Sequence, residues 1–122
     1  MLEGNFFTIS AIQKEEALTK VMVEINPAHT IFEGHFPGQP VVPGACLLQI
    51  LKEVLQNITG QILQLQKANQ LKFISLIDPS KNHVLQLRVT HSAPENSKIS
   101  VSATVLFDTT VAFKFNGVFQ FE

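Results

Sequence analysis

The chain has 122 residues, enough for one ordinary core, and its nine Lys+Arg against ten Asp+Glu leave a formal net charge of −1. Basic residues are scattered, so the electrostatic footprint of a nucleic-acid binder is missing, and no apolar run approaches the length of a membrane span. A lone Cys46 has no partner for an internal disulfide, which fits a reducing cytoplasm and not a stapled secreted domain.

One domain over residues 1–122 is expected, without repeat, low-complexity segment or linker. Lys14, Glu15 and Glu16 interrupt the early apolar residues before a signal-peptide pattern forms. Phe7, Ile9 and Ala11 alternate with polar residues and predict a strand, and a turn follows at Lys14-Glu15-Glu16. Val21, Val23 and Ile25 predict a second strand, ended by Asn26-Pro27. A Gly/Pro-rich segment then leads into a helix from Ala45 to Ile58, closed by Gly60. Leu47, Leu48, Leu51, Val54, Leu55 and Ile58 cover more than half of that helix, leaving Gln49, Lys52, Glu53 and Gln56 as a polar stripe. A helix so nearly apolar is one that a sheet wraps around.

The second half reads as strands: Ile62 to Ile74, a turn at Asp78-Pro79-Ser80, and His83 to His91 with Leu85, Leu87 and Val89 alternating. After Pro94-Glu95-Asn96, the residues Ile99, Val101, Ala103, Val105 and Phe107 share one face. After Asp108-Thr109-Thr110, Val111, Phe113, Phe115, Gly117, Phe119 and Phe121 share another. Long strands joined by short turns predict an antiparallel sheet, and one long helix against it an α+β fold. Ten phenylalanines and a 45% hydrophobic composition point further, to apolar surface buried in an oligomer.

Residues 33–49 hold three prolines and three glycines around His35. Glycine and proline restrict the backbone in opposite ways, and together they build a rigid loop that fixes a side chain in space. Pro43-Gly44 immediately precedes the helix, so the unpaired N–H groups of its first turn, starting near Gly44, carry partial positive charge toward that loop. A carbonyl placed there would be polarised while an imidazole approached its α-carbon, the arrangement an enolate-like transition state needs. The residues alone leave two readings of His35 open: a general base, or a packed ring capping a backbone carbonyl.

Gly34-His35-Phe36-Pro37-Gly38, then Pro40 and Pro43-Gly44 before a helix, resembles the active-site segment of the 3-hydroxyacyl-[acyl carrier protein] dehydratases. Ile31-Phe32 and Leu71-Lys72-Phe73 also sit where that family has similar residues. The resemblance implies a hotdog fold, in which a curled antiparallel sheet wraps a long central helix. It also implies a dimer as the basic unit, hexamers in some members, and a 3-hydroxyacyl thioester carried on acyl carrier protein (or coenzyme A) in a tunnel at the dimer interface. With it His35 is favoured as catalytic, Phe36, Pro43 and Gly44 become substrate-binding candidates, and no cofactor or metal is expected.

The sequence departs from that family on the helix. Fourteen residues after the histidine, where the family has a carboxylate that protonates the departing hydroxyl across the dimer interface, this chain has Gln49. An amide donates and accepts hydrogen bonds but supplies no proton at neutral pH. Glu53 lies one turn on, displaced by roughly 6 Å along the axis, and is expected to pair with a lysine or face solvent. The leading expectation is a dehydratase giving a trans-2-enoyl thioester, with Gln49 orienting the hydroxyl or a water. The alternatives are a non-catalytic or partner subunit of a heteromeric dehydratase, an acyl-thioester-binding protein, and a thioesterase. His29, His83 and His91 read as ordinary histidines, Cys46 as a packed core thiol, and Lys72 as a solvated charge.

Overall fold

The computed structural model describes residues 1–34 and 38–122. Among them, six strands and two helices run in the order β1 (Phe7–Glu15), β2 (Leu18–Ile25), α1 (Ile31–Gly34), α2 (Gly44–Thr59), β3 (Leu63–Phe73), β4 (Val84–His91), β5 (Lys98–Phe107) and β6 (Thr110–Phe121). The strands form one antiparallel sheet in the order β1-β2-β4-β5-β6-β3. Every predicted strand is present. The short helix α1 was not foreseen: His29 Nδ1 accepts the Ile31 N–H at 3.0 Å and supplies the cap that starts it.

Period-two alternation sets which face of the sheet is buried. Val21 pairs with Leu87, Leu87 with Val105, Val105 with Phe113 and Phe113 with Phe73, so one apolar row crosses five strands. Ile99, Val101, Ala103, Phe115 and Phe119 extend that face, and against it lie Cys46, Leu47, Ile50, Leu51, Val54 and Leu55 of α2, all buried. Burying side chains of this size is worth about 1.5–3 kcal/mol each, and it is this layer that holds the helix in the sheet's curve. The arrangement is the α+β hotdog fold that the sequence led us to expect. Helix α2 ends where Gly60 adopts the left-handed conformation (φ 68°) and returns its N–H to the Gln56 carbonyl at 2.9 Å.

Two departures from simple alternation matter for the site. The β5–β6 pairing slips between Val105 and Leu106, leaving Ala112 as the extra residue on β6, so that Val111 is only half-buried while Ala112 is fully buried. The Ala112 carbonyl then accepts the N–H groups of Ile74 and Ser75 at 2.8 and 3.3 Å. The edge strand β3 slips twice, between Leu65 and Lys67 and between Ala68 and Gln70, and only its Leu63 is buried. Beyond those slips Leu71, Phe73, Ile74 and Leu76 stand exposed at the end of the edge strand and just after it. Among the described residues no helix is long and apolar enough to cross a membrane.

Candidate active site

Helix α2 begins at Gly44 with Pro43 in an extended conformation (φ −62°, ψ 142°) and no side chain capping it. The Pro43 carbonyl accepts the Cys46 and Leu47 N–H groups at 2.9 and 3.2 Å, which closes the first turn. Among the described residues the Gly44 and Ala45 N–H groups have no partner, as the geometry of a helix start dictates. Just before the helix, the Val42 N–H donates to the Ile77 carbonyl at 2.9 Å. That bond, with the grip of Ala112 on Ile74 and Ser75, sets two segments side by side. Between them lies an apolar cleft of about 290 Å³ lined by Val42, Pro43, Gly44, Leu47, Phe73 and Leu76, among others.

Gly44 lies in close approach to the far end of a neighbouring ring. A Cβ at that position would meet the edge of the Phe73 ring at 2.6 Å, and Phe73 itself stacks on Phe113 with ring centroids 5.1 Å apart. The expected substrate-binding residues Pro43 and Gly44 therefore do line one cleft, at the positive end of a helix. Phe73 and Leu76 belong to that cleft too. In the sequence Phe73 stands only within a family-like triplet, and nothing singles out Leu76. No local pattern signals either, because the cleft forms where two segments distant in the sequence meet. His35 and Phe36 lie outside the described residues.

Gln49 lies elsewhere. Five residues after Gly44, it sits about 140° further round the helix, away from the cleft of its own chain. Its Nε2 donates to the Glu53 carboxylate at 2.8 Å. Glu53 neither pairs with a lysine nor faces solvent, contrary to expectation. It is 2% exposed and accepts the Leu2 N–H at both oxygens (2.8 and 3.1 Å) and the Glu3 N–H at 2.8 Å. These backbone donors are what make its burial tolerable. Burial pushes the carboxyl up, but the bonds from Leu2, Gln49 and Glu3 outweigh it and hold the group below the usual carboxylate range. At neutral pH Glu53 is an anion with its lone pairs engaged, and so a poor proton donor.

Gln56, one turn further along the polar stripe, is also engaged. Gln56 Oε1 accepts the Leu63 N–H at 3.0 Å and ties α2 to β3. Cys46 is buried, which raises its thiol above the ordinary value and keeps it protonated. His29 packs edge-on against Phe6, with ring centroids 5.3 Å apart. Among the described residues no group of three or more His, Cys, Asp and Glu is placed to hold a metal ion.

A curled sheet around one long helix, with an apolar cleft opening at the helix N-terminus, defines a hotdog-fold protein. The chain belongs to the ApeI-like family described as ApeI dehydratase, whose family model matches residues 11–114. Among curated relatives, it is 24% identical over 105 residues to a 3-hydroxyacyl-[acyl-carrier-protein] dehydratase FabZ of Syntrophobacter fumaroxidans, covering 80% of this chain and 70% of that one. It is 31% identical over 68 residues to the FabZ of Haemophilus influenzae, covering 56% of this chain but only 45% of the relative. Among solved structures, the dehydratase heterocomplex ApeI:P from Xenorhabdus doucetiae contains a chain that superposes with a TM-score of 0.73 at 17% identity, covering 90% of this chain and 95% of that one.

Proposed function

We propose that this chain acts on a 3-hydroxyacyl thioester, removing water to give the trans-2-enoyl thioester. The observation that carries the reading is the apolar cleft at the start of α2, where N–H groups without a partner among the described residues meet a wall fit for an acyl chain. The thioester oxygen would sit at the Gly44 N–H, and His35 would take the α-proton as the electrons move toward that oxygen. The C3–O bond then breaks as the double bond forms, and the hydroxyl leaves as water with the proton His35 took, passed on through a water that Gln49 orients. Gln49 would reach the hydroxyl from the opposite subunit of a dimer, because it faces away from its own cleft. Exposed Leu71, Phe73, Ile74 and Leu76 support a paired assembly, since isolated chains rarely leave so much apolar surface together.

A second reading is favoured by the acid side of the site. The departing hydroxide needs a proton, Gln49 has none to give, and Glu53 is held ionised. A partner chain with a carboxylic acid at the corresponding helix position would supply it, making this chain the histidine-bearing half of a heteromeric dehydratase. The ApeI:P neighbour, itself a heterocomplex, supports that possibility.

One set of assays separates the readings: the pure protein is incubated with a 3-hydroxyacyl carrier-protein thioester, following enoyl product, free acid and binding. Enoyl product that disappears in His35→Ala supports the first reading. Binding without product, followed by turnover once a carboxylate-bearing dehydratase chain is added, supports the second. Free acid would make the protein a thioesterase, and no binding at all would remove both readings.

A further inference from the structure

The bond between Gln49 and Glu53 has a direction, and the direction decides which end of the amide a ligand meets. An amide offers a carbonyl acceptor at one end and an NH2 donor at the other, and rotation exchanges them. A carboxylate only accepts. Both Glu53 oxygens already receive backbone N–H groups, from Leu2 and Glu3, so the group approaching Oε2 at 2.8 Å must be the Gln49 NH2. The lock is stiff for two reasons. Glu53 is buried at 2% exposure, and its donors come from a chain segment some fifty residues away that cannot turn with the helix.

We propose that Glu53 is a positioning residue that fixes the Gln49 amide with Nε2 inward, so that Gln49 presents its carbonyl Oε1 to the substrate's 3-hydroxyl. The hydroxyl, or a water in its place, donates to that oxygen. Gln49 then selects thioesters that carry a 3-hydroxyl and does not donate a proton to the leaving group. Residues 2 and 3 enter the site indirectly, as the clamp that keeps Glu53 in place. Only the identity of the ligand rests on the dehydratase reading; the orientation of the amide does not.

Two measurements test this in the full-length protein. In ¹⁵N–¹H spectra, the Gln49 side-chain NH2 (assigned by its loss in Gln49→Glu) should show one proton shifted well downfield by the carboxylate. That shift should collapse in Glu53→Gln, a substitution of the same shape whose carbonyl stays with the Leu2 and Glu3 N–H groups and whose NH2 therefore faces Gln49, turning that amide round. Ordinary free-amide shifts in the unmodified chain would overturn the proposal whatever the protein catalyses. The second measurement is calorimetric binding of a 3-hydroxyacyl-pantetheine thioester and its 3-deoxy analogue to His35→Ala, which prevents turnover. The hydroxylated ligand should bind about fivefold more tightly, the worth of one neutral hydrogen bond. Adding Glu53→Gln turns the Gln49 NH2 outward, so a 3-oxo analogue, which accepts but does not donate, should gain on the deoxy ligand by a similar factor in that variant and not without it. An unaltered ratio of 3-oxo to deoxy binding would contradict the proposal. A locked amide with neither thioester bound would leave the orientation standing, and would overturn both the hydroxyl assignment and the dehydratase reading.

Discussion

On one flank of helix α2, around Gly44, the protein is apolar and open: a cleft of about 290 Å³, an exposed Phe73, and helix N–H groups without partners among the described residues. On the other, around Gln49 and Glu53, it is polar and closed, with the Glu53 carboxylate engaged by backbone and amide donors. The contrast teaches a division of labour along a single helix. The open flank has unspent hydrogen-bonding capacity and room for a ligand. The closed flank has spent its capacity on holding one side chain in one orientation. A composite site formed by two chains would bring an open flank of one against a closed flank of the other.

The strongest way to break this comparison is to remove the proposed base. His35→Ala should lower enoyl formation by about 10²–10⁴ if the open flank hosts the chemistry, measured at saturating thioester. A loss below tenfold would move the reaction away from this flank.

Next comes the closed flank. Glu53→Ala leaves the Leu2 and Glu3 N–H groups and the Gln49 amide without their acceptor, and should cost about 1–3 kcal/mol in urea denaturation at pH 7. The cost should depend on pH. Because the folded carboxyl titrates below its unfolded value, the native state binds fewer protons, and the stabilisation by Glu53 is complete above the ordinary carboxylate range. It is lost as pH falls below about 4 and through the lowered folded value. The gap between Glu53→Ala and the unmodified chain should therefore narrow at pH 3. A constant gap would mean that packing, and not charge, is what Glu53 contributes.

The smallest effect belongs to Gly44→Ala. The new methyl would press on the far edge of a half-exposed Phe73 ring, which has room to swing aside. Stability should change by no more than about 0.5 kcal/mol, while the Phe73 ring resonances shift as the cleft is reshaped. A large destabilisation would show the open flank to be as rigid as the closed one.

Much of the fold was legible because its signals are local. Alternation in Leu85, Leu87 and Val89, the matching runs in β5 and β6, and Gly60 after an apolar helix each follow from one stretch of chain. The slips at β3 and at Ala112 were not legible. A bulge depends on how two strands settle against each other, and the one local mark, Gly117 opposite Ala68 between the β3 slips, reads in the sequence only as a member of the β6 face. The site divided in the same way. Pro43 and Gly44 could be read from their position before a helix, whereas the covering of Gly44 by Phe73 needs two segments 29 residues apart to meet. Glu53 was misread for a related reason: its partners are backbone N–H groups, which no residue type advertises.

The central claim is that the α2 N-terminus receives an acyl thioester. A crystal structure with a non-hydrolysable 3-hydroxyacyl-pantetheine analogue tests it most directly. The account predicts the carbonyl oxygen within hydrogen-bond distance of the Gly44 N–H, the acyl chain along Val42, Leu47 and Phe73, and the hydroxyl facing a Gln49 of the opposing subunit. An analogue bound away from that cleft, with the first turn of α2 untouched, would contradict it.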